Sequence, residues 1–113
     1  MPEATFAHEG AAIDYTPGTD VAAGDVIVQG DLIGVARFVI KANVLGALAV
    51  SGVFDFTKAT GGSTAIGAGV DVYWDVAEAV AKTDDESGAN KRIGKTVAAA
   101  GDNDATVRVR LSQ

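Results

Sequence analysis

His8 is the only histidine in the sequence, so any mechanism that needs an imidazole as proton carrier must use it. A nucleophilic triad would pair this histidine with a serine in a Gly-x-Ser-x-Gly turn, and none of the serines occupies such a turn. We therefore predict a structural or surface role for His8. The sequence predicts no catalytic residue.

A glycine-rich stretch at residues 61–69 (GGSTAIGAG) superficially resembles a phosphate-binding loop. A P-loop requires a lysine and then a serine or threonine directly after its last glycine, and here a valine follows. The segment also leads into an alternating apolar run, which predicts a strand and not the helix N-terminus that binds phosphate. This stretch is predicted to be a turn, and the chain to have no cofactor.

Carboxylates cluster at Asp71, Asp75 and Glu78, and again at residues 84–86. Neither group has the spacing of an EF-hand loop, so a solvated polar face is the prediction and no metal site is assigned. Paired carboxylates could also hydrolyse a glycosidic bond. With only 6% aromatic residues, however, the chain offers little surface on which a sugar could stack.

The whole sequence has 113 residues, which is the length of one domain. Hydrophobic residues make up 48% of it. Its net charge of −6 argues against nucleic-acid binding, which needs clustered basic residues. The absence of cysteine excludes disulfides, thiol catalysis and cysteine-type zinc sites. No apolar run reaches the ~18 residues that would span a membrane, and the N-terminus does not have the pattern of a secretory signal. We expect a soluble protein made in the cytoplasm.

Apolar residues alternate with polar ones, which predicts an all-β fold, a small barrel or sandwich with at most one short helix. Gly30-Asp31 is predicted to form a tight hairpin turn. Residues 36–45 could contain a helical turn, and residues 75–81 could form a short helix. Predicted strands cover residues 5–8, 12–15, 25–29, 32–36, 47–50, 53–57, 70–74, 92–97 and 105–111.

Two segments of the chain resemble each other. A short Gly-containing segment precedes a strand at residues 21–24 and again at residues 66–69, and an Ile-Gly step follows each strand, at residues 33–34 and 93–94. The second copy has an additional polar stretch at residues 82–90. We interpret this pattern as a duplicated β unit with one enlarged loop.

The single tryptophan, Trp74, shares a strand face with Val70 and Val72 and is predicted to lie in the core, so its neighbour Tyr73 is predicted to face outward. Tyr73 is therefore a candidate contact residue. The positions predicted to be mostly buried are Val26, Val28, Phe54, Phe56, Val72, Trp74, Val107, Val109 and Leu111.

The order of these motifs resembles a family of small tailed-phage proteins, long catalogued as of unknown function and sometimes labelled as RecA- or RadA-like recombinases. The matching segments are residues 6–15 (FAHEGAAIDY), 23–36 (AGDVIVQGDLIGVA), 46–58 (GALAVSGVFDFTK), 69–75 (GVDVYWD), 93–94 (IG) and 105–111 (ATVRVRL). A recombinase is contradicted by the missing nucleotide loop, the acidic charge and the short chain. The resemblance implies a capsid decoration, or cement, protein on the outer surface of the virion, with the major capsid protein as partner and a homotrimer as its assembly.

The alternatives are a head-fibre base, a tail-associated β module, or a small hydrolase using His8 or the acidic cluster. The domain is expected to span residues 1–113, with residues 1–8 as a possible N-terminal arm. An extended arm could add a strand to a sheet edge of the capsid while Phe6 fills a pocket, or it could be the first strand of the protein's own sheet. The candidate capsid or subunit contacts are Pro2, Glu3, Thr5, Phe6, His8 and Tyr73.

Overall fold

The computed structural model describes residues 3–4 and 10–112 of the chain. Within these ranges the protein consists of strands joined by turns, with a short 3₁₀ turn at Glu86–Gly88 as the helical feature. No helix in this part of the chain is long and apolar enough to cross a membrane. The strands are β1 (Ala12–Tyr15), β2 (Val26–Gln29), β3 (Leu32–Val35), β4 (Gly46–Ala49), β5 (Gly52–Thr57), β6 (Asp71–Asp75), β7 (Val80–Lys82), β8 (Lys91–Thr96) and β9 (Thr106–Leu111).

The strands form two antiparallel sheets, which confirms the all-β prediction. Among the described residues no barrel closes, and the arrangement is consistent with a sandwich. The first sheet has the order β1-β4-β3-β2 and the second the order β5-β9-β8-β6-β7. Ile33 and Val35 on β3 pack against the second sheet, where the main core lies. The predicted strand at residues 5–8 lies outside the described residues.

Strand β9 shows how the sequence pattern produces this core. Val107, Val109 and Leu111 are buried, while the residues between them are exposed, because successive side chains of a strand point to opposite faces. The other positions predicted to be mostly buried divide into two groups. Phe56, Val72 and Trp74 are buried, and Val26, Val28 and Phe54 are half-buried against the same core.

The hairpin between β2 and β3 turns through two residues, as predicted, because Gln29 pairs directly with Leu32. Gly30 has a φ of 63°. Asp31, at the second turn position, is not among the residues with positive φ, so the turn is of type II′, which matches the twist of the flanking strands and favours glycine at its first position.

The duplication predicted from the sequence is present in the structure. Residues 12–49, the first repeat, and residues 52–111, the second repeat, have the same strand order, since β1-β4-β3-β2 corresponds to β5-β9-β8-β6. In the first repeat Val21 and Ile40 exchange backbone hydrogen bonds of 2.8 and 2.9 Å, and in the second Ile66 and Ala100 do the same at 2.9 and 2.8 Å. The second repeat carries β7 and the 3₁₀ turn where the first has only a two-residue turn.

The repeated Ile-Gly step has a steric cause. A Cβ at Gly94 would overlap the backbone carbonyl oxygen of Arg110 on the neighbouring strand β9. A Cβ at Gly34 would lie 2.9 Å from Cβ of Leu48 on β4, which is also too close. In both repeats a glycine therefore permits the close approach of two adjacent strands.

Both helical expectations were wrong. Residues 75–81 form a turn that leads from β6 into β7, with Ala79 at a φ of 56°, a conformation that ends regular structure. Residues 36–45 form an irregular loop anchored by the buried Ile40. Tertiary hydrogen bonding and burial outweigh the local helix preference of these short segments.

Candidate functional site

The contact residues proposed from the sequence are only partly within the described structure. Pro2, Thr5, Phe6 and His8 lie outside the described residues. Glu3 is exposed. Tyr73 lies on β6, inside the second sheet, where it pairs with Lys82 on one side and Arg92 on the other, and it is half-buried rather than fully displayed. Trp74 is buried as predicted.

The most exposed apolar surface of the described residues lies elsewhere, on the loop of residues 37–45, which we call the apolar loop. Its side chains retain exposed fractions of 75% at Phe38, 60% at Val39, 53% at Val44 and 65% at Leu45. Isolated exposed apolar residues are ordinary, but four within eight positions form a patch of the kind that marks interaction sites. The sequence analysis missed this surface because it assigned the segment a helical turn.

Hydrogen bonds fix the backbone of the apolar loop. The amide of Ala42 donates to a carboxylate oxygen of Asp20 at 2.9 Å, and the amide of Asn43 donates to the carbonyl of Pro17 at 2.8 Å. Ile40 inserts into a second, smaller core beside Leu48. Because its middle residue is buried, the loop presents the apolar residues on either side of Ile40 to solvent.

A groove of about 400 Å³ adjoins the apolar loop at the junction of the two repeats. Arg37 and Phe38 form one wall, and Val53 and Phe54 on β5 line another part. The remaining lining residues are small: Ala11, Ala12, Ala47, Ala49, Ser51 and Gly52. The exposed Val53 extends the apolar surface of the loop into this groove.

The apolar loop also carries positive charge on an acidic protein. The guanidinium of Arg37 lies 6.0 Å from the ring centroid of Phe38, and Lys41 forms an exposed ion pair with Asp20 at 3.7 Å. Exposed pairs of this kind contribute little to stability. The surface thus combines apolar side chains with cationic groups that a partner can engage.

The acidic residues of β6 and the following turn surround a lysine. Lys82 lies 2.9 Å from Asp75, 2.8 Å from Glu78 and 3.3 Å from Glu86. The prediction that Asp75 lies on a solvated face was wrong: it is buried, and its carboxylate also accepts a hydrogen bond from the amide of Glu78 at 3.0 Å. In the part of the chain that the structure describes, no group of three or more acidic or histidine side chains is arranged to hold a metal ion.

Hydrogen bonding from Lys82, and then from the amide of Glu78, lowers the pKa of Asp75 from 3.8 to about 2, and the carboxylates of Glu78 and Asp75 raise the pKa of Lys82. A carboxyl with a lowered folded pKa stabilises the protein above its unfolded pKa, and this contribution is lost as the pH falls through the folded value.

We expect Asp75→Asn to reduce stability at pH 6 and to flatten the decline of stability between about pH 4 and pH 2. Urea unfolding at several pH values measures the free energy of unfolding of each variant. Asp14→Asn, at an exposed position of β1, is the matched control. An unchanged pH profile in Asp75→Asn would contradict the assignment.

A second lysine, Lys58, is buried and is also structural. Its ammonium donates to the carbonyls of Ala59 and Asp104 at 2.7 and 3.2 Å and to the hydroxyl of Thr64 at 3.3 Å. These three acceptors use all three of its hydrogens. An adjoining cavity of about 210 Å³ therefore receives no free donor from Lys58.

The two-sheet fold thus displays an anchored loop with exposed apolar side chains, the kind of surface that marks interaction sites. The chain matches the family model of phage cement proteins over residues 7–111, and it therefore belongs to that family. The expectation drawn from the ordered motifs is confirmed at the level of the family. No curated protein and no solved structure matches the chain.

Proposed function

We propose that this protein decorates the outer surface of a phage head by binding the major capsid protein, and that it stabilises the assembled shell. Membership of the phage cement protein family supports a structural role in the phage capsid. The family match over residues 7–111 is the observation that carries the proposal. The apolar loop supports it, because exposed apolar patches of this kind mark interaction sites.

Binding linkage explains how such a protein would strengthen a shell. A molecule that binds the assembled lattice and not the separated subunits stabilises assembly by RT ln(1 + [L]/Kd), which is about 2.7 kcal/mol per site at 100 times the Kd. A shell repeats each binding site many times, so a moderate affinity at each site gives a large total stabilisation of the shell. No catalytic group is needed for this, and we propose that the protein is not an enzyme.

The same proposal covers the partners of the protein, its assembly and the residues that make the contacts. The partners are the major capsid protein and further copies of this chain, as a homotrimer, and the place of action is the outer surface of the virion. We propose the N-terminal segment as part of the capsid contact, with Pro2, Glu3, Thr5, Phe6 and His8 in it and Tyr73 as a further contact. The supports are the family resemblance and the ability of an extended segment to add a strand to a sheet edge.

Thermal protection of heads tests the function. Purified protein is added to undecorated, expanded heads, which are then heated while shell disruption is followed by light scattering and DNA-dye fluorescence. We expect a saturable rise in the disruption temperature. An unrelated acidic β protein of similar size is the control. Heads that disrupt at the same temperature at every protein concentration would overturn the proposal.

Deletion of residues 2–7 separates the two roles of the N-terminal segment. If the segment is an arm, the truncated protein keeps its melting temperature but binds heads at least about tenfold more weakly. If it is a strand of the protein's own sheet, the truncated protein unfolds, and the arm proposal is wrong. His8→Ala is the companion variant: we expect it to bind and protect heads normally, and loss of protection despite normal binding would favour a hydrolase.

A further inference from the structure

The outer face of the second sheet concentrates positive charge on an acidic chain. Along β9, Arg108 and Arg110 alternate with buried residues and therefore point outward. On the neighbouring strand β8, Lys95 lies directly opposite Arg110, and directly opposed side chains share a face. Arg92 on β8 donates to the same carboxylate oxygen of Asp71 as Lys95 does, so it lies on this face as well. We call Arg92, Lys95, Arg108 and Arg110 the basic face, which holds four of the nine basic residues of a chain with a net charge of −6.

Carboxylates of the described residues compensate only part of the basic face. Asp55 pairs with Arg108 at 2.9 and 3.2 Å. A single oxygen of Asp71 accepts from Arg92 at 3.1 Å and from Lys95 at 2.8 Å, so one negative charge serves two cations. The side chain of Arg110 has no ion pair or hydrogen bond within the part of the chain that the structure describes. Four cations and two carboxylates leave an excess of two positive charges on β8 and β9.

The centre of the basic face is unfavourable for folding. Lys95 and Arg110 are direct cross-strand partners, and like charges at such positions destabilise a sheet. Lys95 is compensated on its other side by Asp71, whereas Arg110 is not. Because the side chain of Arg110 is exposed, core packing gives no reason for a cation there. A partner that supplies a carboxylate at this position would remove the repulsion.

Apolar and aromatic side chains lie among these cations. Val53 on β5 is exposed directly opposite Arg110, and the half-buried Tyr73 on β6 lies opposite Arg92. Arginine and tyrosine are enriched at protein interfaces, and the guanidinium fork binds a carboxylate through two parallel hydrogen bonds. A nucleic acid would instead meet two carboxylates within the face and a chain with a net negative charge. The mixture therefore favours a protein partner with acidic groups.

We propose that the basic face binds an acidic patch on the outer surface of the phage shell, with Arg110 paired to a carboxylate of that patch. The inference deepens the proposed function and rests on it, because it takes the shell as the partner. Charges interact over only about 8 Å at physiological salt, so the basic face responds to the surface that it touches and not to the net charge of the chain. At the β7 edge three carboxylates surround Lys82, so the acidic patch faces β8 and β9.

Cosedimentation of the protein with undecorated, expanded heads measures the effect of removing one charge. We expect Arg110→Gln to bind heads at least about tenfold more weakly than the wild type. Arg110→Lys keeps the charge and should recover most of the binding. Gln29→Glu is the matched control, because it changes the net charge by the same amount at an exposed position of β2, on the first sheet. It should bind like the wild type.

Thermal unfolding and salt dependence separate a contact role of Arg110 from a structural one. Arg110→Gln removes the repulsion with Lys95, so its melting temperature should equal or exceed that of the wild type. A lower melting temperature would show that Arg110 serves folding and would contradict the inference. Raising the salt from about 0.05 to about 0.5 M should weaken head binding of the wild type more than that of Arg110→Gln. Equal salt dependence of the two proteins would contradict the inference as well.

The same measurements distinguish the inference from the proposed function. Head binding by Arg110→Gln that equals the wild type would overturn the inference and leave the function standing. A wild type that binds no heads would overturn the function, and with it the shell as the partner. Sedimentation velocity and a gel-shift assay with duplex DNA address other partners. Self-assembly or DNA binding that Arg110→Gln abolishes would assign the basic face to a second copy or to phosphates and would overturn the inference.

Discussion

Gly94→Ala should destabilise the protein by about 3 kcal/mol or more, a large part of the 5–15 kcal/mol that holds a typical domain folded. The added Cβ would overlap the carbonyl oxygen of Arg110, and the backbone amide of Ser112 would lie 2.8 Å away. Both neighbours are backbone atoms of the last strand and its end, so no side-chain rotation relieves the overlap. Strands β8 and β9 would have to separate inside the sheet that carries most of the core.

Gly62→Ala is the matched control, because a Cβ at Gly62 meets nothing within 4 Å. Its free energy of unfolding should stay within about 0.5 kcal/mol of the wild type. Gly34→Ala should fall between the two, since its added Cβ would lie 3.0 Å from Cδ1 of Leu48, which can rotate away, and 2.9 Å from Cβ of Leu48, which moves only with the β4 backbone. Urea unfolding measures all three, and a Gly94→Ala variant as stable as Gly62→Ala would contradict the packing described here.

Leu48→Ala should destabilise the protein by about 2–5 kcal/mol, whereas Leu45→Ala should change stability by less than about 0.5 kcal/mol. The two leucines are three residues apart, yet Leu48 is fully buried in the smaller core and Leu45 is 65% exposed. Truncating Leu48 leaves a cavity beneath Ile40, which anchors the apolar loop. The same chemical change is thus tested in two environments.

The two leucine substitutions also show whether the apolar loop is packed against the protein's own core or is displayed to solvent. Leu48→Ala should weaken folding, because the cavity lies in the core cluster that holds Ile40. Leu45→Ala should leave folding intact in urea unfolding of the dilute protein. Equal destabilisation by the two substitutions would mean that the apolar loop is packed against the protein's own core and is not displayed.

Residue alternation predicted most of the strands, although β7 was missed and the strand predicted at residues 5–8 lies outside the described residues. Val107, Val109 and Leu111 are the clearest case, and their burial follows from period-two spacing alone. The hairpin at Gly30 was equally readable, because the positive φ of a tight turn restricts the residue type. The repeated Ile-Gly step was visible in the sequence, but its steric cause became apparent only from the positions of the facing strands in the structure.

The apolar loop could not be predicted in the same way. Its residues are β-branched and apolar, and sequence alone does not tell whether such residues enter a core or remain outside. The outcome depends on contacts distant in sequence, chiefly the hydrogen bonds from the loop to Asp20 and Pro17. The burial of Asp75 was missed for a related reason, since the cation that compensates it comes from β7, which was not predicted to be a strand.

The duplication gives a physical reason to look for function where the repeats differ. Residues that both repeats share, such as the two glycines of the Ile-Gly steps, maintain strand packing. Residues that only one repeat has include the bulky side chains of the apolar loop, at Phe38 and Leu45, and the polar insertion that contains β7. The exposed side chains among these differences are not needed for packing and can serve contacts.

Electron cryomicroscopy of undecorated, expanded heads mixed with the purified protein tests the central claim most directly. We predict additional density of about 11 kDa per copy at repeated positions on the outer surface of the shell, arranged about local three-fold axes and absent from heads without the protein. Density confined to the tail or to a single vertex, or heads with a bare surface at saturating protein, would contradict a capsid-decorating role.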